Sequence, residues 1–144
     1  MKDNSVQIRE IPAESTWPLR QAVMWPDKPI DYVKIDQDEQ GLHYGLFVKG
    51  QLVSIVSAFV SGDSAQFRKF ATLQTEQGKG YGSHLLSFLI EALKSMKIKK
   101  IWCNARINKA AYYERFGLEK TGRYFARGEI DYVIMEKKET QDSR

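Results

Sequence analysis

Cysteine is nearly absent: Cys103 stands alone among 144 residues. No internal disulfide can form, and a single thiol suits a reducing cytosol. Histidine is scarce as well, with His43 and His84 the two present. One thiol and two imidazoles argue against a structural zinc site, so no metal is expected. No apolar run reaches the roughly 20 residues that a membrane helix needs. The N-terminal MKDNSVQIRE lacks the apolar centre of a secretory signal. The expected location is therefore cytoplasmic, with no membrane partner. A dense basic stripe with interleaved aromatics is also missing, which argues against nucleic acid as a partner. Neither an internal repeat nor a linker interrupts the chain, so residues 1–144 read as a single domain large enough for a core.

What is present is ordinary in bulk: 42% hydrophobic residues and 12% aromatics, as in a globular protein. Net charge is +4, and part of it is local, with Lys94, Lys97, Lys99 and Lys100 clustered at one helix end. Lysines there complement a helix dipole and read as a solvated face. The basic balance favours anionic ligands and disfavours a strongly cationic substrate.

The chain is organised around Gln77-Gly78-Lys79-Gly80-Tyr81-Gly82-Ser83. An extended segment runs into this stretch and an amphipathic run leaves it. Alternating glycines uncover backbone amides and allow positive φ. The following helix adds unpaired N–H groups and a positive dipole end. Together they make a cradle for a phosphate or pyrophosphate; a glycine-rich turn capping an ordinary helix is the plain alternative. The G-x-x-x-x-G-K-[ST] pattern does not occur, and G-x-G-x-x-G fails at Ser83 or Leu85. What fits is Q-x-x-G-x-G, as Gln77, Gly80 and Gly82.

Alternation at Val6, Ile8 and Ile11 predicts a first strand, closed by Pro12. Ser15 or Thr16 is expected to cap a short helix that Pro26 stops. Residues 27–40 are polar and aperiodic, a long loop expected to flank an acceptor site. A hairpin follows, 42–48 and 51–60 around Lys49-Gly50, then a strand over 65–73. Leu85, Leu86, Leu89, Ile90, Leu93 and Met96 give one apolar face to a helix over 83–97. A buried strand over 98–103 and a short helix over 110–116 come next, the latter ended by Gly117. A last hairpin, 118–125 and 130–135, leads to a charged tail over 136–144. The expected order is β-α-β-β-β-α-β-α-β-β, an α/β domain with a mixed sheet and a right-handed crossover.

A second segment, Ala105-Arg106-Ile107-Asn108-Lys109-Ala110-Ala111-Tyr112-Tyr113-Glu114-Arg115-Phe116-Gly117-Leu118, follows the crossover. It is similar to the second cofactor segment of the GNAT superfamily of N-acetyltransferases, A-R-x-x-x-x-x-[FY]-Y-x-x-x-G-F. The Q-x-x-G-x-G string resembles that superfamily's coenzyme A pyrophosphate loop. The two segments stand in the family's order with its elements between them. LRQAVMWP and GLHYGLF, in the front half, look like one group of small uncharacterised GNAT proteins and bring no substrate with them. The resemblance implies the GNAT fold: a mixed, mostly antiparallel central sheet of about seven strands flanked by helices.

It also implies an N-acetyltransferase with acetyl-CoA as cosubstrate and an amine, of a small molecule or a protein, as acceptor. Cofactor binding falls by this resemblance to Gln77, Gly78, Lys79, Gly80, Tyr81, Gly82 and Ser83. Backbone N–H groups of Ala71, Thr72 and Leu73 match the strand that faces pantetheine and the oxyanion. Arg106 stands where many members carry an asparagine for the pantetheine arm; Asn108 is out of that register and reads as a helix cap. Tyr113 matches the tyrosine that hydrogen-bonds the departing thiolate. Candidates for a general base are Glu76, His43, Glu129 and Asp131, with water relay as another route. Cys103, on a buried strand, reads as an inert apolar residue. A non-catalytic acyl-CoA-binding regulatory module is the alternative function, and a nucleotide-phosphate enzyme a third. A homodimer is compatible with any of them.

Overall fold

The computed structural model describes residues 5–139. Strand β1 (Val6–Glu10) leads into helix α1 (Ala13–Met24). Two short 3-10 turns follow, Ile30–Val33 and Asp38–Gln40, and then strands β2 (Leu42–Val48), β3 (Gln51–Ser61) and β4 (Ser64–Thr72). Helix α2 (Tyr81–Ser95), strand β5 (Lys100–Arg106), the short helix α3 (Ala110–Glu114) and strands β6 (Glu119–Arg127) and β7 (Ile130–Lys138) complete the order. The sheet runs β1-β2-β3-β4-β5-β7-β6. It is mixed: β4 and β5 pair in parallel, while β1–β2, β2–β3, β5–β7 and β6–β7 are antiparallel. This is the expected α/β architecture and element order. The charged tail departs from expectation, because β7 carries the chain in strand to Lys138. The rest of that tail, 140–144, lies outside the described residues.

The chain folds as two compact units, Met1–Phe59 with Lys69–Leu89, and Val60–Arg68 with Ile90–Arg144. In the first unit, Leu19, Ile55 and Ala71 form a buried cluster with Ile11, Val23, Met24, Leu52 and Leu73 packed on it. Its β2–β3 hairpin turns on Lys49 (φ 52°) and Gly50 (φ 84°), two left-handed residues that match a type I′ turn. In the second unit Ile101, Cys103, Ala105, Val133 and Met135 are buried at alternate positions of β5 and β7. That period-2 pattern is why these stretches form strands with one face on the core.

Helix α1 begins earlier than its polar residues suggest. Pro12 is the N-cap, and the Thr16 hydroxyl donates to the Ala13 carbonyl (2.7 Å) instead of capping. Helix α2 buries Leu85, Leu86, Leu89, Ile90 and Leu93, each contributing about 1.5–3 kcal/mol. Met96 has passed the last turn and is exposed. The helix closes in a Schellman motif: the Ile98 N–H donates to the Leu93 carbonyl (3.1 Å) and the Lys97 N–H to that of Lys94 (3.0 Å). Lys97 must then be left-handed (φ 67°), where a side chain is strained.

Residues 27–40 are pinned from beneath. Arg20, fully buried on α1, donates from Nη1 to the Val33 carbonyl and to Asp38 Oδ2, both at 2.9 Å. From Nη2 it donates to Asp38 Oδ1 (2.9 Å) and Ser57 Oγ (3.1 Å). Asp38 also accepts from Trp17 Nε1 (3.1 Å) and the Ile35 N–H (3.0 Å). Burial pushes the Asp38 carboxyl up, but these bonds together outweigh it and hold it below its ordinary 3.8. The segment is therefore two 3-10 turns clamped around one carboxylate.

Two outcomes are expected from these features. Lys97→Gly should raise unfolding free energy by about 0.5–1 kcal/mol in urea titration, by relieving the left-handed side chain. Asp38→Asn should cost about 3–5 kcal/mol, since it leaves a buried guanidinium uncompensated. In the wild type, a carboxyl lowered below 3.8 contributes stability that is fully present above that pH and lost as pH falls through its folded value. Acid unfolding followed by circular dichroism should show this limb in the wild type and lose it in Asp38→Asn.

Candidate active site

In the first unit, Thr72 at the end of β4 is a junction. Its hydroxyl lies 2.8 Å from Ser54 Oγ on β3, and Ser54 Oγ donates to the Ala71 carbonyl (3.2 Å). The Thr72 carbonyl accepts from Gln77 Nε2 (2.9 Å). Gln77 thus serves as a strut tying the loop to the strand, and its own N–H is turned toward the Gln74 carbonyl (3.3 Å). The Leu73 N–H is also committed, donating to Val53 on β3 (2.9 Å). Of the three strand residues that sequence points to, Leu73 spends its amide inside the sheet.

The loop turns through Gly78 (φ 81°) and Gly80 (φ 86°), both left-handed with open space where a Cβ would stand. Gly82 is different in kind. It lies inside α2, and a Cβ there would meet Thr72 Oγ1 at 3.1 Å and the Phe70 ring at 3.3 Å. Two glycines supply the turn and the third supplies close approach. The first helical bond runs from the His84 N–H to the Gly80 carbonyl (3.0 Å), so the amides of Tyr81 and Gly82 precede the ladder. Lys79 pairs with Glu76 (3.2 Å), which places an ammonium on the same turn. Lys69 in β4 is left-handed as well (φ 57°), a bulge-like break just before the junction.

In the second unit, Tyr113 lies on α3 with its ring centroid 5.7 Å from Phe67 and 5.4 Å from Tyr112. Burial pushes its phenol well above the usual range, Cys103 and Tyr112 add to the rise, and Arg106 opposes it. Helix α3 ends at Glu114 with Arg115 as its C-cap, short of the expected 116, and a turn carries the chain on to left-handed Gly117 (φ 93°). Arg106 is exposed at the end of β5, opposite Tyr132 on β7. The capping role expected of Asn108 is not realised: it sits inside a 3-10 turn, and the α3 N-cap is Lys109 with no side-chain bond. Cys103 is buried, and that burial pushes its thiol up to about 12, in keeping with an inert residue.

An acetyltransferase (GNAT) domain model matches residues 27–139. The chain belongs to the GNAT acetyltransferase family. Among its relatives, the uncharacterized N-acetyltransferase YitI of Bacillus subtilis (strain 168) is 27% identical over 129 residues, covering 83% of this chain and 87% of YitI. The crystal structure of the Escherichia coli ribosomal-protein-S18-alanine N-acetyltransferase superposes with TM-score 0.78 at 20% identity, covering 96% and 98% of the two chains. A GNAT acetyltransferase of Elizabethkingia anophelis crystallised with acetyl-CoA bound gives TM-score 0.75 at 13% identity, covering 95% and 100%. No helix among the described residues is long and apolar enough to cross a membrane.

In this GNAT acetyltransferase the candidate bases are differently placed. Both ring nitrogens of His43 are engaged: Nε2 with the Asp38 carbonyl (2.8 Å) and Nδ1 with Ser57 Oγ (2.7 Å). Because a carbonyl accepts, Nε2 carries the proton and Nδ1 takes the Ser57 hydroxyl hydrogen, Ser57 Oγ itself accepting from Arg20. His43 is a buried structural histidine. Glu76 is tied to Lys79, while Glu129 and Asp131 stand exposed on the β6–β7 hairpin. The Ser54–Thr72 contact was outside the reach of motif reading; a serine in the middle of an apolar strand was its one trace. Gly78→Ala and Gly80→Ala should each cost about 1–2 kcal/mol from left-handed strain alone, read as a lower denaturation midpoint with unchanged slope.

Proposed function

We propose that the protein transfers an acetyl group from acetyl-CoA to a primary amine. The observation that carries this reading is the left-handed pair Gly78 and Gly80 feeding straight into fifteen-residue α2. Such a loop presents amides, backed by the positive helix end, to a diphosphate. On this reading the segment from Gly78 to Ser83 holds the diphosphate, with Gln77 bracing it and Lys79 adding charge. Ala71 and Thr72 follow the pantetheine and thioester, with Leu73 holding their strand in place, and Arg106 contacts the pantetheine arm. The whole of residues 1–144 acts as one acetyltransferase domain.

The neutral amine attacks the thioester carbon. A C–N bond forms while the carbonyl electrons move to oxygen, and a backbone N–H stabilises that oxyanion. The carbonyl re-forms as the C–S bond breaks, and the amine's surplus proton leaves to water. Tyr113 donates a hydrogen bond to the departing sulfur. Free thiols lose their proton near 8.5 and phenols near 10, so outright transfer is already uphill by about 2 kcal/mol. Burial of Tyr113 widens that gap, which favours a hydrogen bond over proton loss.

The engaged His43 and the Glu76–Lys79 pair favour a second reading, an acyl-CoA-binding module without turnover. A thiol-release screen separates the two. The acceptor panel holds alkylamines, amino sugars and peptides, one beginning with alanine because the E. coli neighbour is named for alanine acetylation. An acetyltransferase releases thiol with at least one acceptor; a binding module binds CoA and releases none. Tyr113→Phe should lower kcat by about 10²-fold, with CoA affinity measured by calorimetry nearly unchanged. With no dedicated base, log kcat/KM for an alkylamine should rise with unit slope up to the amine's own pKa, about 10. A plateau near neutral pH would instead reveal a base.

A further inference from the structure

We infer that Ser54 is a positioning residue for acetyl transfer: its buried hydroxyl, bonded to Thr72, aims the Thr72 N–H at the thioester carbonyl. The inference rests on the acetyl-CoA reading and narrows it to one amide. Along an extended strand, successive peptide groups point to opposite edges. The Leu73 N–H points to β3, where it meets Val53, and the Ala71 carbonyl points to β3, where it meets the Ser54 hydroxyl. Thr72 therefore turns its N–H and carbonyl toward the other edge, and its carbonyl does receive Gln77 there. Among Ala71, Thr72 and Leu73, Thr72 alone is left to offer an amide away from β3.

Ser54 has one proton and is fully buried. Given to the Ala71 carbonyl, that proton leaves Ser54 Oγ as acceptor for the Thr72 hydroxyl at 2.8 Å. The two hydroxyls thus hold the peptide that carries the Thr72 N–H, one through its Ala71 carbonyl and one through the side chain on the Thr72 Cα. The same side chain faces Gly82 at the start of α2, where an added Cβ would come within 3.1 Å of its hydroxyl.

The test compares Ser54→Ala, Thr72→Val and Thr72→Ser with wild type, using acetyl-CoA labelled with carbon-13 at the carbonyl. Readouts are the infrared stretch of the bound carbonyl, the kcat of thiol release, CoA affinity and melting temperature. Thr72→Val keeps the shape and loses the hydroxyl, while Thr72→Ser keeps the hydroxyl. The expected result is a bound carbonyl shifted to lower frequency in wild type and Thr72→Ser. In Ser54→Ala and Thr72→Val it should return toward the free value, with kcat at least about tenfold lower and CoA affinity within about twofold. The double variant Ser54→Ala/Thr72→Val should lose no more than Ser54→Ala alone, because that single already removes the Ser54–Thr72 bond along with the one to the Ala71 carbonyl. Equal carbonyl stretch and kcat in all variants would overturn the inference while leaving the acetyl-CoA reading intact. Wild type that binds no CoA would overturn the reading and the inference with it. Should Ser54→Ala fail to fold, the contrast between Thr72→Val and Thr72→Ser decides alone.

Discussion

The start of α2 can lie against β4 because Gly82 has no side chain. A single methyl there would press on the Thr72 hydroxyl and the Phe70 ring. That near-contact lets one residue, Thr72, reach Ser54 in the sheet, Gln77 in the loop and the helix start at once. The loop's conformation follows from it. Gly78 and Gly80 can turn left-handed at little cost, but a turn is only useful when both of its ends are fixed. Strand and helix supply those ends.

A comparable arrangement stabilises the front of the first unit. Asp38 gathers a guanidinium, an indole N–H and a backbone N–H, and its own carbonyl accepts from His43. A stretch without hydrophobic periodicity is held in place by polar bonds together with the buried Val33. Polar clamps of this kind are all-or-none: satisfied, they specify one conformation, and with one member missing they leave a buried charge. The Arg20 Nε, which has no partner among the described residues, is the one concession in it.

Sequence carried the fold further than it carried the site. Period-2 and period-3.6 patterns gave the element order, the Lys49-Gly50 turn and the left-handed Gly117, because each depends on neighbours close in the chain. Element ends were less legible. Thr16 looked like a cap and proved to bond backwards to Ala13, and Lys97 ended a helix in a conformation that glycine usually takes. The Arg20–Asp38 clamp joins residues 18 apart through a segment with no pattern, so no local rule could pair them. The glycine loop was visible by spacing alone, yet spacing could not say that Gly82 differs in purpose from Gly78 and Gly80. Nor could it say that Leu73 had already given its amide to Val53. Both facts depend on which strand lies alongside.

The buried Cys103 has a further bearing on the proposed chemistry. A thiol held up to about 12 is almost wholly protonated at neutral pH, and protonated sulfur is a poor nucleophile. A catalyst built this way can release a free sulfhydryl product without offering a competing one of its own. On the proposed reaction, disulfide reagents that capture a thiol product should colour with it and leave the buried Cys103 unmodified, so no mixed disulfide forms between product and protein.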